Sequence, residues 1–192
     1  DIIIRGQGPL LTTLRYTGNE SIWFQCQSPE CYLLLQDLTI SSNRTSTNDI
    51  QLYMNNGGTL YVKNVLFDGN NYIENKQGPF WIFNEDRVTV IFENCHFKEN
   101  SGNYIIANGT NATFINCTFE RNNGIFVVNN ATMAFQDCYF EHNNSNHSSL
   151  IDIFDGDLII YNCKFVTSYI NVFSHNSHLQ ITRSAFLNNT GL

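Results

Sequence analysis

The chain has 192 residues, of which 42% are hydrophobic and only 14% are charged, and its formal net charge is −7. This composition can build a core, and the length suits one domain over residues 1–192, which we expect to be part of a longer chain or a repeating assembly unit. The acidic balance argues against a nucleic-acid partner. The apolar runs are far shorter than the ~20 residues that span a bilayer, so we expect no membrane insertion. A start at Asp1 without Met indicates a processed product or an excised segment.

Asparagine dominates the polar residues. The chain contains 28 Asn, 12 Gly and 3 Pro, and it is rich in Phe. Such a sequence forms helices poorly, whereas Asn tolerates the left-handed backbone conformation that tight turns need. The composition therefore favours an all-β fold of short strands joined by turns.

The N-terminal quarter opens with a strand-like apolar segment at residues 2–4. Further on, Cys26 and Cys31 lie five residues apart on either side of Pro29. This spacing predicts a small loop closed by a Cys26–Cys31 disulfide, which would require an oxidising compartment.

A repeat follows in chain order. The segment at residues 90–100 recurs at 112–122, 133–143 and 158–168, with more divergent copies at 33–43, 60–70 and 179–189. The spacing between copies is 21 to 30 residues, and other apolar stretches lie between them. Three short strands and three turns per repeat are typical of one coil of a parallel β-helix, in which each coil pairs with the coils on either side. We therefore predict an all-β, right-handed parallel β-helix of about eight coils.

Stacking of the coils would place equivalent residues in columns. The apolar anchors Phe67, Phe97, Phe119, Phe140, Phe165 and Phe186 should form an internal column, and Val62, Phe92, Phe114, Phe135, Ile160 and Ile181 a second one. Asp37, Asn64, Asn94, Asn116, Asp137 and Asn162 should form a ladder at a corner, and Asn43, Asn70, Asn100, Asn122, Asn143 and Asn189 a second ladder.

Four cysteines also fall on one inward column: Cys95, Cys117, Cys138 and Cys163. Neighbouring Cα atoms at ~4.8 Å are within disulfide range, yet parallel side chains would have to leave their common rotamer to bond. We favour buried thiols over disulfide pairs. A zinc site is not expected, because four cysteines in a line cannot form a tetrahedron.

Nine Asn-x-Ser/Thr sequons occur, against about four expected by chance. Three of them, at Asn43, Asn116 and Asn143, fall in the predicted ladders, where the amide would be engaged. The remaining six are predicted N-glycosylation sites, namely Asn19, Asn108, Asn111, Asn130, Asn146 and Asn188. They favour a secreted eukaryotic glycoprotein.

Five Phe-x-x-Asn tetrapeptides, at residues 67–70, 97–100, 119–122, 140–143 and 186–189, resemble the repeats of polymorphic outer-membrane protein adhesins, whose passenger is a β-helix. The opening residues 2–8 and the following Thr13 and Leu14 look like the entry coil of pectate-lyase-like proteins. The resemblance covers most of the chain and implies surface exposure and an adhesive or structural role.

Candidate catalytic groups are sparse. Pectate-lyase-like enzymes carry acidic residues on the outer face of one strand ladder, and the nearest equivalent here is Asp152, Asp155 and Asp157, which we interpret as a solvated turn. The five histidines show no metal-ligand spacing. A polysaccharide lyase or glycoside hydrolase remains the alternative function.

The prediction is thus a non-catalytic, extracellular or cell-surface glycosylated solenoid that acts as an adhesive, coat or fibre component. No metal and no cofactor are expected apart from N-linked glycans. Expected partners are other copies of the chain or flanking coils of the same chain, together with cell-surface glycans or proteins. Head-to-tail assembly is included because neither end shows a polar cap in the sequence.

Overall fold

All regular elements of the described residues are β-strands, 21 in number. The computed structural model describes residues 1–16, 22–26, 30–42, 50–54, 57–69, 77–82, 88–100, 103–107, 109–124, 126–144, 150–169 and 172–190. The strands pair in parallel between successive coils, so the predicted parallel β-helix is confirmed.

The first side of the solenoid, ladder 1, contains one strand from each of eight coils. Alternating burial along its middle strands shows that every second side chain points inward. Its strands are β1 (Ile2–Arg5), the first half of β4 (Tyr32–Ser42), the first half of β6 (Thr59–Asp68), β8 (Thr89–Glu93), β11 (Asn111–Ile115), β14 (Thr132–Gln136), β17 (Asp157–Tyr161) and β20 (His178–Thr182).

The second side, ladder 2, is built of shorter strands that follow one corner later in each coil. It contains β2 (Thr13–Tyr16), the second halves of β4 and β6, β9 (His96–Lys98), β12 (Thr118–Glu120), β15 (Tyr139–Glu141), β18 (Lys164–Val166) and β21 (Ala185–Leu187).

The third side begins with a two-stranded sheet of β3 (Ile22–Cys26) and β5 (Ile50–Met54). A five-stranded sheet, here called ladder 3, covers the later coils. Its strands are β7 (Gln77–Ile82), β10 (Asn103–Ala107), β13 (Phe126–Asn129), β16 (Ile151–Phe154) and β19 (Val172–His175).

A single residue with positive φ turns the chain at most of the described corners, while the turn before β6 has two, Gly57 and Gly58. Corner 1, between ladders 1 and 2, has φ between 52° and 57° at Asp37, Asn64, Asn94, Asn116, Asp137, Asn162 and Arg183. Corner 2, after ladder 2, has positive φ at Gly69, Glu99, Arg121, His142, Thr167 and Asn188. Corner 3, before the next coil, has positive φ at Gly109, Asn130, Asp155 and Asn176. The Asn and Asp residues predicted for corner 1 therefore have the left-handed backbone conformation, which Asn and Asp tolerate better than most other residues.

The first coil replaces corner 1 by a longer loop, residues 6–12. Gly6 packs against the Asp37 carbonyl so closely that a Cβ atom there would lie 2.1 Å from that oxygen. The loop is tied to the second coil by the amides of Gly6 and Gly8, which donate to Gln36 and Asp37. This close backbone contact explains a glycine at position 6.

The predicted aromatic column is present in the core. The rings of Phe67, Phe97 and Phe119 stack at 4.7 Å between centroids, and the stack continues through Phe140, Phe165 and Phe186 at 4.3 to 4.9 Å. The planes of successive rings lie within 10° of parallel. The second column also lies in register, with Phe92, Phe114 and Phe135 facing edges of the first.

The second asparagine ladder is buried inside the solenoid at corner 2. Asn122 donates from Nδ2 to the Phe97 carbonyl at 2.9 Å and to Asn143 Oδ1 at 3.0 Å. Its own Oδ1 accepts from the backbone and side-chain nitrogens of Asn100, both at 3.0 Å. Ser168 continues the column and Asn189 ends it. Asn43 and Asn70, predicted for the same ladder, lie outside the described residues.

The corner 1 ladder is weaker than predicted. Its hydrogen bonds occur in three separate pairs, in which Asn64 donates to Asp37, Asn116 to Asn94 and Asn162 to Asp137. Asp137 accepts but cannot donate, which breaks the ladder before Asn116. The break between Asn64 and Asn94 arises because Asn94 Nδ2 donates to Glu93 instead.

Candidate functional site

The predicted acidic cluster is divided between two sides of the solenoid. Asp152 is half-buried on the outer face of ladder 3, whereas the exposed Asp157 begins a strand of ladder 1. Asp155 lies at corner 3 between them, with φ of 51°, and accepts a 2.6 Å hydrogen bond from Asn176. Asp152 thus lies apart from Asp155 and Asp157, which adjoin the same depression at this corner.

An open depression of about 630 Å³ adjoins this corner. The Gly156 amide donates to Ser177 Oγ at 3.3 Å, and Ser177 Oγ donates to the His175 carbonyl at 2.7 Å. The lining is Asp155, Gly156, Asp157, Ser174, Asn176, Ser177 and His178. Within the described part of the chain, no group of three or more His, Cys, Asp or Glu side chains is placed to hold a metal ion.

A charged network lies on ladder 2 and corner 2, and sequence reasoning missed it. His96 Nε2 lies 3.1 Å from Glu120 Oε2, and Arg121 Nη1 lies 2.5 Å from Glu120 Oε1. Arg121 also reaches Glu99, with its Nη2 3.1 Å and its Nε 3.2 Å from Oε1. Aligning the repeat copies from one residue before to two residues after the Phe anchor would have placed these side chains in neighbouring columns.

This network resembles an acid–base cluster in its residue types, but its geometry is that of a cross-link. Both carboxylate oxygens of Glu120 are occupied, one by an imidazole and the other by a guanidinium. Hydrogen bonds and positive charge from these partners favour the ionised form of a carboxylate, which makes it a weaker base. The arrangement ties two adjacent coils together through the His96–Glu120 and Arg121–Glu99 contacts.

A second outer cluster lies on ladder 1, where Glu93 bridges to the preceding coil. It accepts a hydrogen bond from the Tyr61 hydroxyl and another from Lys63 Nζ at 2.9 Å. The hydrogen bond from Tyr61 is the main cause that lowers the Glu93 pKa, and the same bond raises the pKa of Tyr61. Tyr61 therefore keeps its proton and Glu93 stays ionised near neutral pH, and the hydrogen bonds from Tyr61 and Lys63 to Glu93 link two adjacent coils.

The inward cysteine column is present, and its four thiols are free and buried. Cys95, Cys117, Cys138 and Cys163 each have at most 2% of their surface exposed. Burial is the main cause that raises the pKa of Cys117. The pKa of Cys138 is raised mainly by its hydrogen bond with Cys117 in the preceding coil. The prediction of buried thiols is confirmed.

The predicted disulfide involves one side chain that the structure describes. Cys31 is disulfide-bonded, while the Cys26 side chain lies outside the described residues. The Cys26–Cys31 pairing therefore stays a prediction.

Three of the six predicted glycosylation sites fall in the described residues. Asn111 is exposed at the start of β11, and Asn130 and Asn188 are exposed at corners 3 and 2. Asn19, Asn108 and Asn146 lie outside the described residues. Of the discounted sequons, Asn143 is only 3% exposed and fully engaged in the internal ladder.

A protein-family model matches most of the chain. Residues 22–186 match the family described as the right-handed beta helix region. The chain belongs to the right-handed β-helix family. A search of curated proteins finds no match. Among the described residues, no helix has the length and apolar character needed to cross a membrane.

Proposed function

We propose that this right-handed β-helix is a non-catalytic, N-glycosylated component of a cell surface, coat or fibre, with an adhesive or structural role. The observation that supports the absence of catalysis is the state of the outer carboxylates. Glu93 and Glu120 are each held by two neighbouring side chains, at least one of which belongs to an adjacent coil, so both side chains cross-link coils. A rigid rod whose outer side chains are bonded to one another suits a role in presenting or supporting other molecules.

The proposed partners follow from the distribution of exposed apolar side chains. Large exposed apolar residues occur mainly in the first and last described coils: Ile2, Ile3, Leu10, Leu11, Phe173, Leu179, Ile181, Phe186 and Leu187. The inward columns of ladder 1 run from Ile2 to Leu179 and from Ile4 to Ile181. We propose that a further coil, from the same chain or from another copy, continues these columns.

The compartment can be tested by mass measurement on protein made in secreting eukaryotic cells. Treatment with an N-glycosidase should lower the intact mass, and the Asn111→Gln and Asn130→Gln variants should each remove a glycan from the untreated protein. Asn144→Gln is the control, because Asn144 is exposed but begins no sequon. An unchanged mass after glycosidase treatment would contradict the secreted assignment.

A second candidate function is hydrolysis or lyase cleavage of a polysaccharide at corner 3. The open depression beside Asp155 and Asp157 favours it. A panel of neutral and acidic polysaccharides incubated with the protein tests both functions at once. The structural role predicts no release of reducing ends or unsaturated products, whereas turnover that disappears in Asp155→Asn and Asp157→Asn would establish the enzyme.

A further inference from the structure

The outer face of ladder 3 carries two aromatic side chains on β16 and β19. Ile151 and Ile153 of β16 are buried in the core, so the alternating Asp152 and Phe154 point outward. Phe173 lies in register with Asp152 on the next strand and is 53% exposed. The rings of Phe154 and Phe173 contact each other, with 5.9 Å between their centroids and 50° between their planes.

Phe173 differs from most of the exposed apolar residues at this end of the solenoid. Leu179, Ile181 and Phe186 belong to inward columns, which a further coil would cover. Phe173 belongs to an outward column, because its register partner Asp152 points away from the core. A further coil would extend this column but would not bury it in the core, so the exposure of Phe173 is a property of the outer face.

The charges around this face favour a cationic partner. Between Arg121 and Lys164 the sequence contains five acidic residues and neither Lys nor Arg, and β19 contains neither of them either. The whole chain has a net charge of −7. A carboxylate and the negative faces of aromatic rings both attract a cation. The outer columns here consist of Val127, Asp152 and Phe173 in one, and of Asn129, Phe154 and His175 in the other.

A guanidinium suits this combination of groups better than an ammonium. It is planar, so it can stack on an aromatic ring while its edge donates hydrogen bonds to a carboxylate. Residues in register on adjacent strands are ~4.8 Å apart, which one guanidinium can bridge. We propose that the outer face of ladder 3 binds an arginine side chain of a partner protein, stacked on Phe173 and paired with Asp152. Such a contact deepens the adhesive role proposed above and rests on it.

Room for the rest of the partner segment lies beside the aromatic pair. Asp155 and Ser174 directly follow Phe154 and Phe173 in the chain, and both line the open depression at corner 3. An extended segment that places an arginine on Phe173 can therefore continue over an acidic depression, where a second basic side chain would meet carboxylates.

The test uses the peptide Gly-Arg-Gly-Arg-Gly as the probe. Its control is the same peptide with citrulline, the uncharged analogue of arginine, at both positions. Each is titrated into the isotope-labelled full chain and followed by nuclear magnetic resonance. The arginine peptide should shift the amide signals of β16 and β19 and leave those of β12 and β15, on ladder 2, in place. The citrulline peptide should shift neither, and added salt should weaken binding of the arginine peptide.

Two matched pairs of variants separate this face from the net charge. Asp152→Asn and Glu141→Gln remove the same charge, but Glu141 lies on ladder 2. Phe173→Ala and Leu187→Ala each remove an exposed outward apolar side chain, but Leu187 also lies on ladder 2. The two substitutions on ladder 3 should each raise the dissociation constant of the arginine peptide by about three- to fivefold, and the two on ladder 2 should leave it nearly unchanged.

Equal weakening by Asp152→Asn and Glu141→Gln would show attraction by net charge alone and would overturn the proposed site. So would equal affinity for the citrulline peptide, or no shift of β16 and β19 in the wild-type chain, whether or not a variant folds. Protein from secreting cells is titrated before and after N-glycosidase treatment. A glycosylated chain that does not bind the peptide loses the arginine site but keeps the surface role, whereas a chain that binds the peptide and carries no glycan does the reverse.

Discussion

Buried asparagines and left-handed corner residues set the fold at the scale of single side chains. An amide inside a protein must satisfy two donors and an acceptor, and Asn122 does so through Phe97, Asn143 and Asn100. Because these partners belong to neighbouring coils, a single side chain links three windings of the chain.

Replacing Asn122 by Ala should lower the free energy of unfolding by about 3 kcal/mol, because it leaves the Asn100 amides and the Phe97 carbonyl buried without their partner. Urea denaturation followed by circular dichroism would measure the loss. Gln180→Ala, at an exposed position of β20, should change stability by less than about 0.5 kcal/mol. Equal effects of the two substitutions would contradict the internal ladder.

A substitution at Thr167 should instead raise the free energy of unfolding. It is an exposed β-branched residue at corner 2 with φ of 45°, where most branched residues are strained. Thr167→Asn should raise the free energy of unfolding by about 1 kcal/mol, since Asn tolerates this conformation. Thr182→Asn, on the exposed face of β20, should be neutral or destabilising because Asn is a poor strand former. A destabilised Thr167→Asn protein would argue against a left-handed corner.

At the scale of elements, each strand is too short to be stable alone, and its pairing with the coils on either side determines its position. The three-residue strands of ladder 2 bury a single Phe each. The register follows from this, because a slip by one residue would expose the Phe and bury a polar neighbour. Each cysteine of the inward column lies immediately before a three-residue strand of ladder 2.

The cysteine column should make stability depend on pH above neutrality. In the folded state the pKa values of Cys117, Cys138 and Cys163 are raised, whereas an unfolded thiol titrates near ~8.5. Above that pH the folded state binds more protons than the unfolded state, so the free energy of unfolding should fall as pH rises; below it the thiols contribute no slope.

Urea denaturation between pH 7 and 10, with a reductant present, would measure this slope. The variant with Ser at positions 117, 138 and 163 is the control, since it retains Tyr61 and Lys63 and so isolates the thiol contribution. A slope that is the same in both proteins would show that the column thiols ionise normally in the folded state.

At the scale of the whole molecule, the sequence was sufficient to predict the repeat and the inward columns, because both depend on the period of the apolar anchors. It was also sufficient for six of the seven corner 1 residues, since Asn and Asp mark left-handed positions, but not for Arg183. Arg121, His142 and Thr167 at corner 2 could not be predicted in this way, because their residue types do not signal a positive φ.

The outer charged network was missed for a related reason. The pairing of His96 with Glu120 depends on side-chain direction at adjacent coils and not on spacing within one copy. Conversely, the acidic residues 152, 155 and 157 are close in sequence but lie on two sides of a corner. Proximity along a solenoid chain is thus a poor guide to proximity on its surface.

The most direct test of the stacked architecture is a set of distances along one outward column. Arg15, Asp68, Lys98 and Leu187 occupy this column of ladder 2. Pairs of spin labels that join Leu187 to Lys98, Asp68 or Arg15 span four, five and seven coil spacings. Electron–electron resonance should give backbone separations of about 19, 24 and 34 Å, which increase by ~4.8 Å per coil. Separations that do not rise in proportion to the number of coils would contradict the β-helix and the columns on which the proposed functions rest.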